Sequence, residues 1–499
     1  MTPEEFRRRG HQLVDWIADY RARVSTLPVV ARTEPGAVKR QLPASPPDAP
    51  EDFDAILQDL EATVVPGLTH WAHPQFCGYF PSNSELSSVL GDLLSTGLGV
   101  LGLAWQSSPA LTELEEVTTD WLRQMVGLSE AWSGVIQDSA STSTLVALTS
   151  ARERTTVYCR DRGGLQAEPR PLVVYVSSQA HSSVRKAALI AGFGETNLRV
   201  IPHDAAFAMR ADALGAAVED DLLNGRTPCA VVATTGTTAT TAVDPIAEIA
   251  AIAMTHGLWL HVDAAMAGSA MILPECRWMW AGVERADSVV LDPHKWLGAS
   301  FDCSLYYVRD PAHLTRVMNA DASYLRSAAD GQVKNLRDWG IPLGRRFRAL
   351  KLWCLVREQG VAGLSARLRR DLANARWLES EVRQARGWQV VAPVVLQTVA
   401  VRYDPRAAAA RAAAARVEPS ASAHRREALN RHTQAWVARV NQSGEACITA
   451  AEVDGEWMAR VSIGALQTTR DHVANVWAVM RREAEHFPLP PASRILDGI

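Results

Sequence analysis

The stretch LDPHKWLGASFDCS, Leu291 to Ser304, holds Lys295, one of five lysines in a chain whose Lys and Arg together number 51. Arginine is the everyday cation here. A lysine set between His294 and Trp296, just past a proline, therefore asks for a chemical reason. Burial favours the neutral form of an amine, and the neutral amine is the nucleophile that an aldehyde needs. A Schiff base at Lys295 is the chemistry this pattern offers.

An aldehyde cofactor makes further demands, and the chain has residues for each. WLHVDAA puts Asp263 at the end of an apolar strand, where sheet ligands bind. A carboxylate there would keep a pyridinium nitrogen protonated; the same residue also reads as a cap or turn aspartate. VYVSSQAHSSVRKAAL puts His181 just after a strand at the mouth of a helix. An imidazole there could stack on a flat ring, and a capping histidine would occupy the same place. GVIQDSASTSTLVAL runs from strand into helix, so Ser139, Ala140 and Ser141 offer N–H groups and hydroxyls at a helix N-terminus, an anion site. TTGTTATTAVDP is a Gly/Thr turn after a strand, with Thr238 near the same edge. His294 adjoins the lysine. Lysine, acid, flat group and anion cup together match what pyridoxal phosphate demands.

These residues need a scaffold that gathers strand ends. PLVVYVSS, CAVVATTG, LWLHVDAA and DSVVLDP read as buried strands, with helical stretches such as HSSVRKAALIAG and DPIAEIAAIAMTHG between them. That alternation predicts an α/β domain with a mostly parallel sheet over residues 86–370. Residues 1–85 begin with helical periodicity. The Pro-rich QLPASPPDAPEDFDAIL then leads to a new helix near Asp52, and the aromatic, Pro-broken loop THWAHPQFCGYFPSNS follows. Residues 371–499 form a smaller domain with an Ala/Arg-rich insert, YDPRAAAARAAAARVEPSASAHRR, read as exposed helix or linker, then helix, strand and helix.

At 499 residues, with 47% hydrophobic and 21% charged residues, the chain reads as a soluble globular protein of more than one domain. A net charge of −4 favours neither nucleic acid nor an anionic membrane as partner. The N-terminus lacks a secretory h-region, and no apolar run is long enough for a membrane span. The seven Cys are scattered with no metal spacing, which predicts reduced thiols in a cytoplasm and no metal site. The preference for Arg over Lys points to a GC-rich bacterial gene.

HVDAAMAGSA, DPHKW, FDCS, SSQAHSSV and IPLGRRFRALKLW together resemble the group II pyridoxal-phosphate-dependent amino-acid decarboxylases, specifically the aromatic-L-amino-acid decarboxylase branch. The likeness runs from about residue 5 to 485 and is weakest in the Ala/Arg insert. It implies fold type I, the aspartate aminotransferase-like fold, with an N-terminal helical arm, a large cofactor-binding α/β domain and a small C-terminal α/β domain. It implies decarboxylation of an aromatic L-amino acid of the Trp, 5-hydroxy-Trp, Phe, Tyr or DOPA class to the amine and CO2. Lys295 matches the Schiff-base lysine, Asp263 the pyridinium partner and His181 the stacking histidine. Ala140, Ser141 and Thr238 match cofactor-binding positions. Ser82 falls near the substrate carboxylate. Tyr324, in DASYLRSAADG, matches the mobile-loop tyrosine that protonates Cα. Trp71, Phe80, Trp105 and Phe301 are candidates for an aromatic substrate wall. An obligate homodimer is implied, with the active site shared between subunits; the apolar stripe Phe6, Leu13, Trp16, Ile17 and Tyr20 of the first helix suits such packing and would equally suit its own domain.

The chain departs from the family at three places. Asp292 stands where animal members have Asn near the phosphate. Leu103 replaces a Phe, and Gly344 is small where plant relatives that prefer phenolic substrates often have Ser. Rival readings are an aldehyde synthase, which consumes O2 and releases aldehyde, H2O2 and ammonia, and which Tyr324 disfavours; a group II decarboxylase of another amino acid; and a catalytically dead relative, which should have lost Lys295, Asp263 or His181.

Overall fold

Thr2 caps the first helix, α1 (Pro3–Arg23), in a reciprocal pair with Glu5, which satisfies donors that the helix itself leaves free. The computed structural model describes residues 1–319, 330–405 and 419–486. Tyr324 and residues 406–418 of the Ala/Arg-rich insert lie outside the described residues. The chain divides into two compact units, one of residues 1–81, 371–391 and 397–499, the other of residues 82–370 and 392–396.

In the first unit, α1 is followed by the short α2 (Ala37–Gln41) and by α3 (Phe53–Asp59), which Asp52 caps as the sequence predicts. None of the residues of α1 is buried. Of its apolar stripe, Phe6 is exposed, whereas Trp16 stacks on Tyr20 and donates Nε1–H to Glu61. The loop after α3 is pinned by backbone bonds: Cys77 donates to the carbonyl of Cys447, and its own carbonyl accepts from Ser462.

The second unit is built on a seven-stranded sheet. Its strands are β1 (Ser133–Gln137), β2 (Leu172–Ser177), β3 (Leu198–Ile201), β4 (Thr227–Thr234), β5 (Trp259–Asp263), β6 (Ser288–Leu291) and β7 (Ser304–Val308), in the order β1-β7-β6-β5-β4-β2-β3. β3, β2, β4, β5 and β6 are parallel; β7 runs antiparallel to both β6 and β1. Two reversals bring β1 back into the common direction, so the C-terminal ends of β1, β2, β4, β5 and β6 share one edge. Its helices are α4 (Leu86–Leu98), α5 (Pro109–Met125), α6 (Ala140–Thr155), α7 (Ser182–Ile190), α8 (Ala211–Leu223), α9 (Ile246–His256) and α10 (Pro311–Met318). The runs that read as continuous apolar stretches are buried because both faces of a parallel sheet are covered. Leu148, Val174, Val184, Val232 and Trp259 belong to one core cluster. Each such side chain stabilises the fold by about 1.5–3 kcal/mol relative to exposure. Trp259 keeps its polar handle satisfied by donating Nε1–H to Ser288.

α4 inverts the usual pattern. Its small residues Ser88, Gly91 and Ser95 are buried, while Leu86, Leu90, Leu93, Leu94 and Leu98 are 45–60% exposed. Gly91 allows the close approach: a Cβ there would stand 2.7 Å from the Lys351 backbone.

The first unit closes with four antiparallel strands, β8 (Trp388–Val390), β9 (Thr398–Tyr403), β10 (Thr449–Val453) and β11 (Glu456–Ser462), in the order β10-β11-β9-β8, and with the helices Pro419–Ser443 and Arg470–Glu485. Trp388, Trp436 and Trp477 meet edge to face at its core. All seven cysteines are free; six are buried and Cys354 is half-buried.

Candidate active site

The shared edge gathers the residues that the sequence singles out. Asp263 ends β5 at 5% exposure, and its carboxylate accepts the Ala265 N–H at 3.0 Å. Burial raises its pKa, opposed by the Lys295 ammonium and the imidazole of His181 and reinforced by the like charge of Asp292. Those four groups therefore lie within one another's electrostatic reach.

Lys295 sits in a tight turn, Pro293–Leu297, directly after β6. Its backbone (φ −90°, ψ −106°) leaves the helical region, and Gly298 at φ +99° ends the turn in a conformation that suits glycine. Its Nζ lies 2.9 Å from Asp292 Oδ2, and its side chain is a quarter exposed, so the amine is held yet reachable. Asn83 fastens the turn from far along the chain: Nδ2 donates to the Lys295 carbonyl at 3.1 Å, and its N–H donates to that of His294 at 3.2 Å. Ser82 Oγ is 3.4 Å from the same His294 carbonyl.

His294 is buried, and its Nδ1 accepts the Cys303 N–H at 3.0 Å, which leaves the proton of the neutral ring on Nε2. Burial lowers its pKa. Phe301 packs edge-on against it at 4.9 Å while remaining 64% exposed. Arg348 holds Asp302, between Phe301 and Cys303, at 2.8 Å.

His181 is the N-cap of α7. Its Nδ1 accepts the Ser183 N–H at 3.2 Å and lies 2.8 Å from Ser183 Oγ. Capping thus occupies one ring nitrogen and leaves Nε2 for other work. Burial lowers its pKa, so the neutral ring is favoured.

Ser139 caps α6, accepting the Thr142 N–H at 3.3 Å; Ala140 is buried and Ser141 exposed at the first turn. The free N–H groups and dipole of this 16-residue helix favour an anion. Thr238 is half-buried in the turn after β4. This donor set fits pyridoxal phosphate: a reachable amine, a buried carboxylate one strand away, and a capped helix start on the same edge.

On the substrate side, a Cβ on Gly344 would be 3.9 Å from Leu103 Cδ2, so those two residues are neighbours. Trp105 is tied down, Nε1 to Glu113 and its backbone N–H to Asn335. Trp71 and Phe80 fall in the other unit, where Trp71 stacks on Tyr79 and Arg460 lies over the Phe80 ring at 5.0 Å. Asn83 and Cys303 are the residues that sequence reasoning passed over. Their only local signal is adjacency to Ser82 in YFPSNS and to Asp302 in FDCS.

Residues 35–404 match the pyridoxal-dependent decarboxylase conserved domain. The chain belongs to that family. It is 44% identical over 415 residues to the aromatic-L-amino-acid decarboxylase of Bos taurus, covering 81% of this chain and 85% of that one. It is 39% identical over 497 residues to the phenylacetaldehyde synthase of Arabidopsis thaliana, covering 98% and 97%. The crystal structure of Oryza sativa TDC with PLP and tryptamine superposes with a TM-score of 0.91 at 36% identity, covering 97% of this chain and 99% of that one. The protein is thus a pyridoxal-phosphate-dependent amino-acid decarboxylase of the aromatic branch, with the fold type I scaffold. Among the described residues no helix is long and apolar enough to cross a membrane.

Proposed function

We propose that this protein decarboxylates an aromatic L-amino acid, of the Trp, 5-hydroxy-Trp, Phe, Tyr or DOPA class, to the amine and CO2. The observation that carries the reading is the meeting of Lys295, Asp263 and His181 at one sheet edge, supported by relatives that act on aromatic amino acids. Bound pyridoxal phosphate supplies an electron sink for the pair released when the Cα–carboxylate bond breaks. Lys295 would hold the cofactor through its amine. Asp263, raised by burial yet facing a cation, would keep a proton on the ring nitrogen. His181, fixed by its cap, would cover the ring and orient the substrate carboxylate. The α6 N-terminus with Ser139, Ala140 and Ser141, together with Thr238 and His294, would receive the phosphate end. Ser82, Phe301, Leu103 and Gly344, with Trp71, Phe80 and Trp105, are the proposed substrate contacts. Tyr324 is proposed to return the proton to Cα.

A homodimer is part of this proposal. The row of exposed leucines on α4, Leu86, Leu90, Leu93, Leu94 and Leu98, supports it as a face for a second copy. The seven free cysteines support a reducing, cytoplasmic setting, and the Arg-rich composition supports a bacterial gene.

The similarity to phenylacetaldehyde synthase keeps one second reading, oxidative release of an aldehyde. Purified enzyme given L-Trp, 5-hydroxy-L-Trp, L-Phe, L-Tyr and L-DOPA separates the two. Amine and CO2 without peroxide are expected; peroxide in step with CO2 would move the protein to the aldehyde-forming reading.

A further inference from the structure

Asp292 has the most unusual surroundings of the site's charged groups. It is 1% exposed, and its Oδ1 is buried with no hydrogen-bond partner. Its Oδ2 lies 2.9 Å from Lys295 Nζ and 3.6 Å from His294 Nε2. Cys303 occupies the other nitrogen of that imidazole, so Nε2 turns an N–H, not a lone pair, toward the carboxylate. The other titratable groups that act on the cluster are Asp263 at the end of β5, His181 at the head of α7, Asp302 (itself paired with Arg348) beside His294, and the buried Cys303 thiol, on which Lys351, Arg348 and Glu115 also act. Burial favours neutral imidazoles at both histidines. Lys295 is therefore the one full cation in contact with Asp292 among the described residues.

A buried carboxylate with a single cationic partner is costly unless it has work to do. An amine attacks an aldehyde only after it gives up a proton, and Oδ2 already stands at hydrogen-bonding distance. Transfer across that contact converts an ammonium–carboxylate pair into an amine–carboxylic acid pair. Both pairs are neutral overall, so the transfer brings no net charge into the buried site.

We propose that Asp292 is the base that takes the proton from Lys295 Nζ before the amine attacks, and the acid that returns it when the substrate amine displaces Lys295. In the forward direction an N–H bond breaks, its electron pair stays on Nζ, and an O–H bond forms at Oδ2. Nζ then bonds to the aldehyde carbon, whose oxygen departs as water. In displacement the substrate nitrogen bonds to that carbon, the Nζ–C bond breaks with its electron pair left on Nζ, and the proton on Oδ2 passes back to Nζ. The inference rests on Lys295 being the attachment point. The opposing role, a mere counter-ion that holds Lys295 as ammonium, predicts the opposite sign.

The test is the rate at which cofactor-free enzyme attaches pyridoxal phosphate, followed by visible absorbance in a stopped-flow instrument between about pH 6 and pH 9, for the wild type, Asp292→Asn and Asp292→Glu. The wild-type rate should change little with pH. The Asn variant should be slower by about 10²-fold or more near neutrality and gain about tenfold per pH unit, because solvent must then remove the proton. The Glu variant should recover part of the rate. An Asn variant that attaches cofactor as fast as the wild type, or faster, overturns the proposal. So does a wild-type rate that itself climbs tenfold per pH unit, a measurement that stands even if the variants do not fold. Borohydride reduction and peptide mapping of the wild type separate the two levels: label on a residue other than Lys295 refutes the site reading itself, whereas label on Lys295 with the wrong rate pattern refutes only the role of Asp292.

Discussion

The side-chain amide of Asn83 donates to the backbone carbonyl of Lys295 at 3.1 Å, across 212 positions of chain. With its N–H on the carbonyl of His294, it grips two successive peptide units of the turn that presents the amine. Asn83→Ala leaves the Lys295 carbonyl short of a partner in a part-buried place, a cost of about 1 kcal/mol. The expected result is pyridoxal phosphate bound up to about tenfold more weakly in equilibrium dialysis, with an unchanged far-ultraviolet spectrum.

Lys295→Ala removes the amine that the proposed site offers to an aldehyde. Turnover and the visible absorbance of attached cofactor should both vanish while the fold persists. A variant that kept normal activity would end the present reading of the site.

Acid stability should be governed in part by His261, in the middle of β5. It is fully buried, with Nδ1 2.9 Å from Ser288 Oγ, and burial pushes it down to about 3. In the unfolded chain a histidine titrates near about 6.5. Its contribution is therefore complete above that value and is lost as pH falls from there toward about 3, since only the unfolded state takes the proton. Between about pH 6.5 and pH 5 this amounts to about 2 kcal/mol. Urea midpoints of His261→Leu should fall less over that interval than those of the wild type; equal slopes would place the acid sensitivity elsewhere.

Leu93 lies on the open face of α4 at 50% exposure. A glutamate there costs a single chain little. Leu93→Glu should sediment as a monomer and lose most activity while keeping its secondary structure. A variant that sedimented as a dimer would remove α4 from the proposed interface.

Gly344 and Leu103 form a close pair, 3.9 Å from a Cβ position to Leu103 Cδ2. The hydroxyl of Gly344→Ser should narrow the space beside Leu103 and favour a phenol over an indole. The ratio of kcat/KM for L-Tyr over that for L-Trp should rise by about tenfold, a modest change typical of pocket size alone. An unchanged ratio would mean that this pair does not line the substrate.

What the sequence made legible follows from what is local. The runs around Val174, Val232, Val262 and Val290 read as buried strands because a parallel sheet covered on both faces needs continuous apolar stretches. Asp52 read as a helix start, and Asp263 as a strand end, because their neighbours declare it. His181 was legible as a residue at a helix mouth, but stacking and capping compete only until the structure shows Nδ1 taken and Nε2 free. Asn83 was not legible, because its task depends on a contact 212 residues away. Nor was the packing of α4, whose small residues turn inward because Gly91 meets the backbone of Lys351, far along the chain. The reversal of β7 is a matter of topology that no window of residues records.

The buried thiols have a consequence for how long the enzyme lasts. Only a thiolate reacts readily with oxidants and alkylating agents. Burial pushes Cys229 and Cys303 up to about 12 and Cys447 up to about 11. Burial therefore favours the unreactive thiol form of these sulfurs in the native chain, and opening of their surroundings is what would expose them. Cys229 lies in β4 and Cys303 beside the lysine turn, both in the second unit, whereas Cys77 and Cys447 lie in the first, where the Cys77 N–H donates to the Cys447 carbonyl. Oxidative ageing of this enzyme is thus timed by its own breathing, and the first sulfur to be modified names the unit that opens first.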